Sequence, residues 1–261
     1  MINLKYFILY LALLAASHST LAQESLITDR PNQSDAPFTL NPGELQIESG
    51  LAYDNQASGI NENATENLYS WATIWRVGLI NRLELRLITQ PGISQQNLNG
   101  ETAGRRAGMA DLQAGLKWNL IRRNKGSAVM ALISQAVLPN GSRGFTNESF
   151  GVINKLVGSH QLTERHSLNY NLGHEYFGAG DGDLTYTLYW AIALDDRLTL
   201  MIENFGRYRE LDEWLISADG GLTYLLNNNL QLDYIFGFGI NHNMNYHTLG
   251  LSVRIGHQES E

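Results

Sequence analysis

Residues 216–255 read ISADGGLTYLLNNNLQLDYIFGFGINHNMNYHTLGLSVRI. Apolar side chains take alternate places: Leu222 and Tyr224, then Leu230, Leu232, Tyr234, Phe236, Phe238 and Ile240, then Leu249, Leu251, Val253 and Ile255. Between them stand Asp219, Thr223, Gln231, Asp233, Ser252 and Arg254 among small residues. A period of two marks β-strands with one apolar and one polar face, because successive Cβ atoms point to opposite sides of a sheet. Asn-rich breaks divide the stretch into three such strands. Alternation alone leaves open which face meets water.

The opposite end of the chain bears on that question. Lys5 supplies a basic start, Tyr6 to Ala16 an apolar run too short to span a bilayer, and Thr20-Leu21-Ala22 a small-residue cleavage site. This pattern predicts a secretory signal over residues 1–22 and a mature start near Gln23. No later segment approaches the roughly 18 uninterrupted apolar residues of a membrane helix, so a membrane-spanning mature chain has to be a closed β-barrel. The formal net charge is −8, and losing Lys5 with the leader makes it more negative, which argues against nucleic acid as a partner. With no Cys in the chain, a disulfide framework and thiolate metal or redox chemistry are excluded. Average hydrophobicity decides nothing, since alternation hides a lipid face from any mean.

The same period recurs upstream. It predicts strands over residues 44–53, 67–80, 83–89, 112–120, 166–177, 184–194 and 198–208, and more faintly over 127–138 and 147–158, where Ala and Ser blur the faces. With the three C-terminal strands the count is about twelve, an even number of the length a tilted membrane strand needs. The connections alternate. Segments 54–66, 94–107, 139–146, 178–183, 209–213 and 241–246 are mostly long and rich in Gly, Asn and charge, whereas 81–82, 122–126, 159–165, 195–197 and 227–229 are shorter. Long loops on one side and short periplasmic turns on the other place both termini in the periplasm. Tyr53, Tyr69, Trp71, Tyr176, Tyr186, Tyr208, Trp214 and Tyr246 gather near the long loops, and Trp118 and Tyr224 near the short turns, as interfacial girdles do.

The reading is therefore an all-β, antiparallel transmembrane β-barrel of about twelve strands after a cleaved signal peptide. Residues 23–43 form a periplasmic N-terminal segment or a plug, 44–256 the barrel and 257–261 a polar tail. Pro31, Pro37 and Pro42 keep the N-terminal segment out of any central strand or regular helix, so it either folds into the lumen or hangs loose. On the polar face the candidate lumen-lining residues are Arg76, Glu84, Arg86, Asp111, Lys117, Glu175, Glu203, Arg207, Asp219 and Asp233, accompanied by Glu44, Glu48, Lys155 and Arg254. Charges of both signs in a confined lumen either shape a selective path or pair across strands and rigidify the wall. About twelve strands leave a narrow, obstructed interior and not a wide aqueous pore.

Residues 27–53 (ITDRPNQSDAPFTLNPGELQIESGLAY), LPNG at 138–141, IENFG at 202–206 and GGLTYLLNNNLQLDYIFGFGIN at 220–241 resemble the bacterial family of MetA-pathway-of-phenol-degradation outer-membrane proteins. The resemblance covers nearly all of the mature chain. It implies an outer-membrane transporter or channel for small solutes, aromatic or hydrophobic ones among them, with outer-membrane lipid, lipopolysaccharide and the barrel-assembly machinery as partners. One departure is that the last strand ends Val253-Arg254-Ile255 and is followed by a polar tail, where many such barrels end on an aromatic residue.

Two other classes remain as alternatives: an outer-membrane-embedded lipid hydrolase and a soluble periplasmic β-barrel binding protein. A hydrolase needs a nucleophile beside its base, yet none of His160, His166, His174, His242, His247 and His257 has a Ser two residues on. His242 and His247 are expected in one loop, without the carboxylate that a metal site would want. Gly178 to Asp183 has no following helix to cradle phosphate, and reads as a hairpin tip. No catalytic residue, metal or cofactor is expected.

Overall fold

The computed structural model describes residues 25–30, 33–57, 64–121 and 128–256, so the leader over 1–22 and the tail over 257–261 lie outside the described residues. The elements are β1 (Leu45–Ala57), β2 (Ala64–Ile80), β3 (Leu83–Thr89), β4 (Pro91–Leu98), β5 (Glu101–Met109), β6 (Leu112–Ile121) and β7 (Val129–Leu138). They continue as β8 (Gly151–Gln161), β9 (His166–Tyr176), β10 (Asp183–Ala193), β11 (Leu198–Arg209), β12 (Glu213–Asn227), β13 (Leu230–Gly239) and β14 (Met244–Ile255). Every pairing is antiparallel, and β1 closes the sheet by pairing β2 on one side and β14 on the other.

The fourteen segments make twelve staves. β2 pairs β4 along its first half, Ala64 to Ser70, and β3 along its second, Thr73 to Ile80, so β3 and β4 are one stave interrupted at Gln90. β5 and β6 are likewise one stave, pairing β4 and β3, and Ala110 N donates to Gln90 O at 2.9 Å across the two interruptions. Strands thus replace the loop expected over 94–107. Its polar Gln, Asn, Gly and Arg lack apolar alternation, so period gave no sign of it. The available signal was Asn99-Gly100, which makes a two-residue turn with φ of 52° and 83°, the pattern that fits the twist of a hairpin.

Apolar side chains face outward. Leu232, Tyr234, Phe236 and Phe238 are 39–46% exposed, whereas Glu48 and Glu84 on the other face are fully buried. This inversion of a soluble fold is the one that lipid outside and polar packing inside require. The inner wall is not uniformly polar: Ala131, Ile133 and Val157 form one buried apolar cluster, and Met201, Ile235 and Tyr246 another. β7 and β8 therefore carry apolar residues on both faces, which is why their alternation is faint in the sequence.

Candidate functional site

Residues 25–30 and 33–43 lie within the lumen. Leu26 N donates to Asn228 O at 3.0 Å, so the segment enters at the short-turn end. Proline-broken backbone cannot join a ladder, and its polar groups must find partners elsewhere. Wall side chains supply them. Glu48 Oε2 accepts from the backbone N of both Asp29 and Arg30 at 2.8 Å, and Glu203 Oε2 accepts from Gln33 N at 2.9 Å. Glu84 Oε2 accepts from Leu40 N at 3.0 Å, while Arg76 and Asn119 donate to the carbonyls of Phe38 and Pro37 at 2.9 Å.

The strongest attachment is ionic. Lys117 Nζ lies 2.7 Å from each carboxylate oxygen of Asp29, Arg86 pairs with Asp29 Oδ2, and Arg76 Nε approaches to 3.4 Å. Arg86 also donates to Asp35 Oδ1 at 2.7 Å, and Lys155 to Asp35 Oδ2 at 3.1 Å. Burial on its own raises the Asp29 carboxyl, but the Arg76, Arg86 and Lys117 cations outweigh it and hold Asp29 well below the usual carboxylate range. Across the lumen Arg30 reaches Asp233 at 3.6 Å.

Of the ten residues expected to line a path, Arg76, Glu84, Arg86 and Lys117 gather around Asp29, within the network that grips the segment. Glu203 and Asp219 are opposed across β11 and β12, and Tyr246 donates to Asp219 Oδ2 at 2.5 Å. Ser34 Oγ donates to Glu203 Oε1, also at 2.5 Å. Glu175 and Arg207 stand apart, where Arg207 bridges Glu175 and Asp183 near the long connections and is half exposed. Asp111 is occupied by a loop: its carboxylate accepts from Gly141 N and Asn147 N at 2.8 Å. Arg76, Glu84, Arg86, Lys117, Glu203 and Asp233 thus meet the N-terminal segment, whereas Asp111, Glu175, Arg207 and Asp219 meet groups of the wall and its connections. His247 stands in β14, not in a loop, and bonds Tyr234 Oη at 2.9 Å.

Asp29, Arg30 and Asp35 are the site residues that sequence reasoning left out. Their signal was charge inside a Pro-rich stretch opposite a mixed-sign wall, but no spacing rule links residues so far apart in the chain. Beneath the segment, at the short-turn end, a cavity of about 820 Å³ is lined by Asn119, Ser159, Asn169, Tyr189, Thr223 and Gln231 among others. On the outer face, Leu51, Tyr53, Tyr69, Trp71, Ile93 and Leu249 line an apolar groove of about 680 Å³. Among the described residues no group of three or more His, Cys, Asp or Glu could hold a metal ion.

A closed twelve-stave barrel, apolar outside and filled inside by its own N-terminal segment, is an outer-membrane β-barrel. The family model described as "Putative MetA-pathway of phenol degradation" matches residues 28–255, and the chain belongs to that family. Among solved structures it is similar to the COG4313 outer membrane channel from Pseudomonas putida F1, with 13% identity and a TM-score of 0.69 over 87% of this chain and 99% of that one. It is also similar to the KdgM porin in complex with disordered oligogalacturonate, with 10% identity and a TM-score of 0.55 over 81% and 99% of the two chains. The translocator domain of autotransporter NalP from Neisseria meningitidis follows at 11% identity and 0.51, over 84% and 90%. At these identities the likeness is one of fold. No protein of curated function matches the sequence.

Proposed function

We propose that the protein is an outer-membrane channel admitting small solutes, those with aromatic or apolar bodies included, without doing chemistry on them. One observation carries this reading: the lumen is filled not by a packed apolar core but by a segment held through hydrogen bonds and ion pairs. Water and dissolved ions can replace such contacts when the segment leaves, as they cannot replace a packed apolar core, so the wall can stand without its filling. The apolar groove on the outer face and the mixed amide, hydroxyl and apolar lining of the inner cavity support solutes of that kind. In this reading the partners are outer-membrane lipid and lipopolysaccharide outside, the solute inside, and the assembly machinery during insertion.

The test is uptake. Cells lacking the protein should take up small aromatic solutes more slowly when supply is limiting, and the purified protein in liposomes should restore entry. Purified protein that carries neither ions nor solutes, yet cleaves lipid esters reproducibly, would replace this reading with the hydrolase.

A further inference from the structure

The carboxylates of Asp29 and Asp35 belong to the removable segment, but the groups that bind them belong to the wall. Arg86 spans the two, with one terminal nitrogen on Asp29 and the other 2.7 Å from Asp35 Oδ1. Lys117 completes the Asp29 side at 2.7 Å and Lys155 the Asp35 side at 3.1 Å. Arg76 has its own wall partners, Glu84 at 2.8 Å and 2.9 Å and Glu48 at 2.8 Å. Among the described residues Arg86 and Lys117 have no comparable ones: Glu84 Oε1 is 3.9 Å and 3.8 Å away from them, beyond hydrogen-bond reach. Withdrawal of the segment would leave Arg86 and Lys117 facing a water-filled lumen without the anions they now pair with, and Lys155 with only Glu175 of the wall acting on it.

We propose that Arg86, Lys117 and Lys155 form a carboxylate-binding site of the barrel wall, which Asp29 and Asp35 occupy in the plugged state and a small organic carboxylate occupies once they leave. The inference rests on the channel reading and gives it a solute class. A guanidinium fork with an ammonium on each side presents convergent charge-assisted donors, the arrangement that selects carboxylates over neutral groups of equal shape. Because one guanidinium bridges two carboxylates, a dicarboxylate fits as well as a monocarboxylate. Glu203, Asp219 and Asp233 lie on β11, β12 and β13, away from the staves that carry the three cations. The tether gives Asp29 a high effective concentration, so a free carboxylate binds only when Asp29 is displaced or removed.

The experiment uses the full chain carrying Asp29→Ala and Asp35→Ala in planar bilayers, titrated with benzoate and, separately, with benzyl alcohol. Benzoate should reduce the current saturably, at a half-blocking concentration at least about tenfold below that of the alcohol. Adding Lys117→Gln or Arg86→Gln should remove most of that difference. Equal responses to the two probes, or a benzoate block unchanged by both Gln variants, would overturn the site while leaving the channel intact. A folded double variant that passes no ions would sink the channel reading and this site with it. Should the Ala pair fail to give heat-modifiable barrel, Asp29→Asn with Asp35→Asn keeps the side-chain shapes and serves for the same comparison.

Discussion

Lys117 Nζ meets both carboxylate oxygens of Asp29 at 2.7 Å across 88 residues of chain, and neither side chain is exposed to solvent. This pair joins the segment that fills the lumen to the stave that walls it. Removing one member of a buried pair leaves the other uncompensated, at a cost of roughly 3–5 kcal/mol. Asp29→Asn should therefore loosen the segment while the barrel, held by its ladders, persists. The chain has no native Cys, so Ser34→Cys gives a single reporter. It should react with a water-soluble thiol reagent in Asp29→Asn and resist it in the parent background; equal reactivity would show that Asp29 is not the latch.

Acid should test the same latch from another side. The Asp29 pKa is depressed in the folded state, so its contribution is present in full above the ordinary value of 3.8 and is lost only as pH falls through the lower folded value. The difference in ionic conductance between the parent protein and Asp29→Asn should accordingly be constant between about pH 8 and about pH 5, with any opening due to Asp29 confined to stronger acid. Opening near neutral pH that persists in Asp29→Asn would assign pH control to another group.

The outer face offers a stability test. Phe236 is 41% exposed on β13 among Leu232, Tyr234 and Phe238, and an Arg there should cost about 2–4 kcal/mol if it lies near the bilayer midplane. Its neighbour Gly237 points inward, where a Cβ would meet the ring of Tyr246, so even Gly237→Ala should destabilise by overpacking. Refolding titrations into lipid measure both, and an unchanged midpoint for Phe236→Arg would reverse the assignment of faces.

Gly78 tests how closely the segment lies on the wall. A methyl at this position would occupy the place of the Asn41 carbonyl oxygen, a backbone atom that cannot swing aside. Gly43 N donates to Gly78 O and Gly78 N to Glu44 O, both at 2.9 Å, so the elbow has no slack. Gly78→Ala should cost about 1–3 kcal/mol and raise thiol reactivity at Ser34→Cys. A variant as stable and as unreactive as its parent would show that the elbow adapts.

Topology follows from the ends of the staves. A short epitope inserted after Gly180, in the bend between β9 and β10, should bind antibody on intact cells. One inserted after Asp196, in the turn between β10 and β11, should bind only after the outer membrane is opened. The reverse pattern would invert the barrel.

The alternation of Leu230 to Ile240 against Gln231 and Asp233 determined the strand class without help from tertiary structure, because a two-residue period is a local property of the pleat. The leader expected over residues 1–22 and the lack of a later long apolar run pointed from those strands to a barrel, since only a closed sheet satisfies its backbone in lipid. Local reading failed where locality fails. The β4 and β5 halves of their staves were hidden by polar side chains, and the staves β7 and β8 were faint because Ala131, Ile133 and Val157 put apolar groups on the inner face too. The sequence likewise identified Arg76, Arg86 and Lys117 as inward charges. Only the closed barrel brought them to one carboxylate from a segment that left plug and loose leader as equal alternatives, because the pairing of Asp29 with Lys117 is set by closure and by the cost of leaving buried charge unmatched, not by any spacing along the chain.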